Sequence, residues 1–432
     1  MISKVGSVVL GLSVISLSLF AKQSDFTILF PLICLAFAAY FLILKKAEQQ
    51  AFNFLIGAAI LSRLFLVFTF PNLSDDIFRF AWDGHLILDG INPFSLLPSE
   101  VLKLELDPFY RDLFPSLNSP NYYTIYPPVS QGCFTFAALL CPTSMYGFSV
   151  LLKSIFFIAE LGTLYYLIQI LKHYKLDKFK VMIYALNPLI IVEFCGNLHF
   201  EAIMVFFWVL SFYLLIKEKL IWAGIIFGLS VCAKLLTLIF LPFLIKRLGW
   251  KKSFIFFTII GITCLALFSP ILLGNGKETF LESLNLYFQK FEFNGSLYYI
   301  FREIGFINKG YNLIAEYGPS LAKYSFFSII ALAIFDKQKT MLSFPKVCLF
   351  AISIYLLFTT TVHPWYLGLA IVCSVFSNFK YALLWSFLIM MTYVNYSFEP
   401  YYEPLWVVGL EYGLVIGFFV YELNLSPRPS PS

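Results

Sequence analysis

The chain has 432 residues, of which 60 % are hydrophobic and 13 % charged, with a mean hydropathy of +0.81 and a net charge of +5. Soluble domains carry about 25 % charged residues, so this composition excludes a soluble globule. The basic residues are spread over short loops, which argues against a nucleic-acid surface.

Apolar runs recur along the whole chain, and about 17–25 residues suffice to cross a hydrocarbon core about 30 Å thick. Their length and uniformity fit helices rather than the alternating strands of a barrel. In chain order the candidate spans are 5–21, 26–44, 51–70, 149–171, 181–196, 200–216, 253–273, 320–335, 345–361, 364–378, 380–396 and 405–422. The first run follows Lys4 like a signal peptide, but the second follows at once, which favours an uncleaved anchor. Residues 129–141 are short for a span, and 220–245 carries Lys234 in its middle and Pro242 near its end. The expected fold is all-α: a polytopic transmembrane helical bundle of about 11–13 spans. It is expected to be a single domain over 1–424, with a disordered Ser/Pro tail at 425–432. The eight cysteines form no CxxC pair and mostly lie in apolar runs, so they read as small core residues rather than a disulfide or zinc framework.

The positive-inside rule puts Lys45 and Lys46, the 172–180 lysines, Lys217 and Lys219, the 246–252 cluster, Lys337, Lys339 and Lys380 on the cytoplasmic side. That requires 129–141 and 220–245 each to enter and leave on one side; in the alternative, both cross and the local charge rule fails. With this orientation, five segments meet at the external face: a large first loop at 71–128 carrying juxtamembrane helices, the turn at 196–201, a second loop at 274–319, the corner His363-Pro364-Trp365-Tyr366, and 397–404. Polar groups gathered at one membrane face read as a site.

The richest of these segments is Ser74-Asp75-Asp76-Ile77-Phe78-Arg79-Phe80-Ala81-Trp82-Asp83-Gly84. On a helix starting near Ser74, Asp76, Arg79 and Asp83 share a face. One reading is a capped interfacial helix with a solvated ion pair. The other is a carboxylate base for a sugar hydroxyl, since adjacent Asp75 and Asp76 raise each other's proton affinity. Lys234 in an apolar stretch would cost about 2.5–3.5 kcal/mol on insertion scales, which calls for a carboxylate, a phosphate or snorkelling. No HxxxH or HxH spacing supports a divalent metal among His85, His199, His363 and the aspartates, and no cofactor is expected.

The run DDIFRFAWDGHLILDGINPF, followed by YPPVSQ at 126–131, resembles membrane glycosyltransferases of the GT-C superfamily. The likeness is to bacterial polyprenyl-phosphate-mannose-dependent mannosyltransferases and the catalytic subunit of GPI mannosyltransferase I. Asn187-Pro188-Leu189 with Gly196-Asn197-Leu198-His199-Phe200-Glu201-Ala202 is similar to that family's NPL…GNxHxDA stretch, with Glu201 in place of the aspartate. The resemblance covers roughly residues 70–370. Ser74 stands where GPI-type enzymes have the first aspartate of a DxD triplet.

The resemblance implies an integral-membrane glycosyltransferase of the bacterial cytoplasmic membrane with an outward-facing site. It would transfer a hexose, mannose by resemblance, from a polyprenyl-phosphate sugar donor to a glycan or glycolipid acceptor, with inversion and amid membrane lipids. Asp76 is the expected base, assisted by Asp75. Arg79, Asp83, Tyr126, His199, Glu201, Arg302, His363 and Tyr366 form the expected substrate-binding set, with Arg79, Arg302 and His363 the phosphate candidates. The aromatic residues, Trp365 and Tyr401 among them, read first as an interfacial belt and second as sugar-stacking surfaces. The alternatives are a secondary transporter or flippase, for which Lys234 and Glu160 speak, and an external-face glycan polymerase or ligase.

Overall fold

The computed structural model of the protein describes residues 1–46, 49–104, 107–272 and 276–425. Beyond Leu425, the expected tail lies outside the described residues. The described chain is helical, and eight helices are long and apolar enough to cross a membrane: Ile2–Phe20, Phe26–Lys46, Gln49–Val67, Met145–His173, Trp250–Ile271, Ile314–Phe335, Met341–Phe358 and Leu405–Leu425. The fold is therefore a polytopic helical bundle. The first helix is packed into the bundle, with Leu10, Val14 and Leu17 in the common core.

The remaining apolar runs of the sequence become shorter or broken elements. Residues 178–196 form a pair of helices bent by 53°, and the break falls at Asn187-Pro188. Pro188 cannot continue the preceding helix, and Asn187 caps the next turn by accepting hydrogen bonds from the N–H groups of Leu189 and Ile190. The run at 364–378 is a 3₁₀ turn, Pro364–Leu367, leading into the short helix Gly368–Ser374. The run at 380–396 changes from α (Tyr381–Leu388) to 3₁₀ (Ile389–Ser397). Irregular backbone of this kind is tolerated at membrane depth where protein surrounds it, and every residue of Gly368–Ser374 is buried.

The helix Pro128–Leu140 starts beside Thr124, and the turn after it meets the end of the helix Asp76–Leu88, where His85 Nε2 lies 3.0 Å from the Pro142 carbonyl. Tyr146 then donates to the Phe68 carbonyl (3.1 Å), so both ends of this helix stay near the Asp76 end of the bundle. The segment 220–244 rises as the helix Leu220–Ala233 and descends as the 3₁₀ run Leu235–Leu244, with Lys234 at the apex. Its descending leg returns to Lys246 and Arg247, which meet the 334–343 turn; Arg247 pairs with Asp336 at 2.8 Å. Lys178 sits over the Phe52 ring, at the start of the span that ends near Asp76. The basic clusters thus gather at the end of the bundle opposite the aspartates.

Among the described residues there is no strand. A single parallel bridge joins Phe293 to Thr361, with Phe293 N–H donating to Thr360 O and Val362 N–H to Phe293 O (3.1 and 2.8 Å). It ties the second loop to the corner that carries His363.

Candidate active site

The aspartate helix, Asp76–Leu88, begins at the polar end of the bundle with Asp75 as its N-cap residue. Ser74, one position earlier than the cap, accepts the Asp76 N–H at 3.4 Å. Two acids at this terminus suit the positive end of the helix dipole. Asp76 is half-buried, and its Oδ1 accepts from Asn118 Nδ2 at 2.9 Å. Partial burial, and then the charge of Asp76, push the Asp75 carboxyl up from the ordinary aspartate range.

One turn on, the helix turns inward. Arg79 and Asp83 pair at 2.9 Å and are 3 % and 0 % exposed, so the ion pair is buried rather than solvated. Asp83 also accepts from Thr124 Oγ1 (2.5 Å) and Gln131 Nε2 (2.9 Å). Arg79 Nη1 donates to the carbonyls of Ser119 (3.1 Å) and Tyr122 (2.9 Å). A buried ion pair persists only when such extra hydrogen bonds satisfy it. Here those bonds pin the 118–126 segment over the helix. Arg79 Nη2 has no acceptor among the described residues.

A polar cavity of about 670 Å³ opens above this terminus. Asp75, Asp76, Arg79, Asn118, Ser119 and Tyr126 line one side, and Glu292, Thr361, His363, Trp365, Tyr396 and Tyr401 the other. Next to it runs a smaller apolar groove of about 270 Å³, lined by Leu238, Ile239 and Pro242 of the 3₁₀ run, by the helix Ile314–Phe335, and by Tyr355 to Thr360. Thr360 faces the groove and Thr361 the cavity, so the two spaces lie on either side of that corner.

The fold brings Asp75, Asp76, Arg79, Tyr126 and His363 together at the cavity. Asp83 is beneath its floor. His199 is behind the wall, stacked on Trp365 with ring centroids 3.5 Å apart. Glu201 is buried and pairs with Lys234, whose ammonium lies over the Tyr366 ring. Tyr366 is thus engaged from below rather than lining the cavity. Arg302 is held by Glu292 (2.9 Å) and Glu303 (3.1 Å) with its guanidinium over Tyr299, so Glu292 rather than Arg302 reaches the cavity.

Burial, and then the electrostatic influence of the neighbouring His199 and Lys234, lower the His363 imidazole to about 3. The ring is neutral at physiological pH, a hydrogen-bonding group rather than a counter-ion for phosphate. Trp365 lies between His199 and His363 and has no free face for a sugar. Tyr401, half-exposed at the rim, does. Among the described residues, no three His, Cys, Asp or Glu side chains converge on one point.

Sequence reasoning did not single out Asn118, Ser119, Glu292 or Tyr396, which sit in polar or aromatic stretches without a pattern. It also passed over Glu193, although an acid inside an apolar run is itself a signal. Glu160, its counterpart in the span Met145–His173, pairs with Arg63 at 3.0 Å with both side chains fully buried, and lines neither space.

No curated protein matches the chain. A family model described as alpha-(1->6)-mannopyranosyltransferase, N-terminal domain, matches residues 5–249, more than half of the chain and the part that carries Asp76, His199 and Lys234. The chain belongs to this family and is a membrane-embedded glycosyltransferase of the mannosyltransferase kind.

Proposed function

We propose that the protein transfers a mannosyl group from a polyprenyl-phosphate sugar to a glycan or glycolipid acceptor at the external face of the membrane, with inversion and with Asp76 as base. The observation that carries this reading is the adjacency of a polar cavity and an apolar groove on either side of the Thr360–Thr361 corner. A donor with a sugar phosphate head and an isoprenoid tail needs both spaces side by side. The basic clusters at the opposite end of the bundle favour an outward-facing cavity.

The acceptor hydroxyl gives its proton to Asp76 as its oxygen forms the new bond to the anomeric carbon. The bond from that carbon to the phosphate oxygen breaks, and the electron pair leaves with polyprenyl phosphate. Asn118 holds one oxygen of Asp76 and leaves the other free among the described residues. Arg79 Nη2 is the cationic donor for the departing phosphate, with the rest of its guanidinium fixed by Asp83 and two carbonyls. Fixed donors at developing charge and aligned reactants supply the acceleration. The sealed Arg63–Glu160 pair has a structural role here, which leaves the transporter alternative without its mid-membrane acid.

The test is Asp76→Asn in membranes supplied with polyprenyl-phosphate mannose. Transfer is expected to fall by about 10²–10⁴-fold with the protein still folded. Unchanged transfer removes Asp76 as base, and a requirement for a nucleotide sugar removes the donor class.

A further inference from the structure

Four rings form one continuous stack along the cavity wall. Phe293 lies on His363 (centroids 4.5 Å, 26°), His363 on Trp365 (4.5 Å, 4°), and Trp365 on His199 (3.5 Å, 12°). The two imidazoles make no ring contact with each other, which puts them on opposite faces of the indole. With both faces covered, Trp365 can meet a ligand only through its edge, and it lines the cavity. Its Nε1–H has no acceptor among the described residues. Beside it, His363 Nδ1 is buried without a partner. At the cavity the stack therefore offers the Trp365 edge, with its unfilled donor, and keeps its faces to itself.

The far end of the stack is anchored by a group that plays no part in the transfer chemistry. Glu193 is fully buried in the π-helical turn Ile191–Gly196. Its carboxylate accepts from Tyr393 OH (2.8 Å) and Asn197 Nδ2 (3.2 Å) and lies 3.2 Å from His199 Nε2. That last approach is close but too oblique for a good hydrogen bond. The Glu193 carbonyl also accepts the His199 N–H (3.3 Å). Between them Leu198 takes a φ of +66°, a left-handed conformation that a leucine adopts only under constraint from its surroundings. This turn swings His199 back onto Trp365. Held strain at such a point marks a geometry the fold maintains.

We propose that the stack reads the hydroxyl pattern of the transferred sugar, with Trp365 Nε1–H donating to one ring hydroxyl and Glu193 acting as the positioning residue that fixes the indole plane through His199. The inference rests on the proposed sugar transfer in this cavity. A site that donates to a hydroxyl discriminates against the analogue lacking it, because the donor is then left unpaired.

The probes are polyprenyl-phosphate mannose and its four monodeoxy analogues. For one analogue the wild-type KM is expected to rise about 2–12-fold, the range of a single hydrogen bond. Trp365→Phe, which keeps a ring in the stack, is expected to lose that factor with mannose and to lose nothing further with that one analogue. Losses that simply multiply for all four analogues overturn the indole's role. Glu193→Ala is expected to erase the discrimination in KM with a smaller change in kcat, and Glu193→Gln to restore it. A Glu193→Ala variant that keeps full discrimination overturns the positioning role. If the wild type transfers mannose from no lipid donor, the proposed function falls and this inference with it. Normal transfer with multiplicative losses removes the stack's role alone.

Discussion

Lys234 and Glu201 form an ion pair on the face of Tyr366, with the glutamate side chain 1 % and the lysine side chain 32 % exposed and Nζ 4.7 Å from the ring centroid. The apex of the 220–244 hairpin is thereby fastened to the first turn of the helix Glu201–Ile216. Glu201 Oε2 already has no hydrogen-bond partner. Removing the lysine would leave a buried carboxylate uncompensated, which costs about 3–5 kcal/mol for a fully buried pair and less here because the lysine side chain is partly exposed. Lys234→Met is therefore expected to lower the thermal midpoint of the detergent-purified protein. Adding Glu201→Gln should recover most of the loss, because the double variant buries no charge. Equal midpoints for the single variant and the wild type would show that the pair does not hold the hairpin.

Gly84 tests how closely the aspartate helix must approach its neighbour. A Cβ there would sit 2.6 Å from the Phe134 carbonyl oxygen and 2.7 Å from its carbon, both backbone atoms of the helix Pro128–Leu140. Backbone cannot swing aside as a flexible side chain can, so Gly84→Ala must separate the two helices. Overpacking of this kind costs about 1–3 kcal/mol. Asp83 spans the same interface through Gln131, so displacement should also disturb Arg79 and the cavity above it. The expected result is a lower midpoint together with a clear drop in transfer. A fully active Gly84→Ala variant would show that the helix spacing is not critical.

Asp83 and Asp76 are seven residues apart on one helix and should fail in different ways. Asp83→Asn strips the charge that balances the buried Arg79 guanidinium, so folded yield and activity are expected to fall together. Asp76 lies in the cavity with one hydrogen bond, so Asp76→Asn should spare the yield. Comparing size-exclusion recovery with transfer rate for the two variants separates the roles. An Asp83→Asn protein recovered in full but inactive would move Asp83 from scaffold to chemistry.

The acids at 75, 76 and 83 were legible because charge is scarce in this chain and clusters where a span ends. The Lys234 hairpin was legible too, since a lysine mid-run and a proline near its end do not suit a crossing helix. The break at Asn187-Pro188 follows from proline chemistry, although the sequence there also reads as one plain span. What composition does not encode is the change from α to 3₁₀ at Leu235 and Ile389, because tertiary contacts rather than residue type decide it. Nor does it encode that Arg302 turns to Glu292 and away from the cavity. Its neighbours in space come from ten residues before it and from the adjacent residue, and nothing in their spacing prefers one to a phosphate.

His363 gives the protein a dependence on pH whose sign is fixed by its surroundings. The imidazole is lowered to about 3 in the folded protein, against about 6.5 in an unfolded chain. Between these values the unfolded state holds a proton that the folded state does not. Stability therefore falls as pH drops from about 6.5 toward about 3, and this effect is absent above about 6.5. Carboxylates titrate over part of the same range, so the informative quantity is the difference between the wild type and His363→Phe. Phenylalanine keeps a flat ring between Phe293 and Trp365 but has no proton to gain. Thermal midpoints measured from pH 7.5 down to pH 4.5 are expected to decline less steeply for the variant below about pH 6.5. Parallel declines would mean that the imidazole takes up its proton in the folded state as readily as in the unfolded one, and a neutral His363 at the cavity wall would then have to be given up.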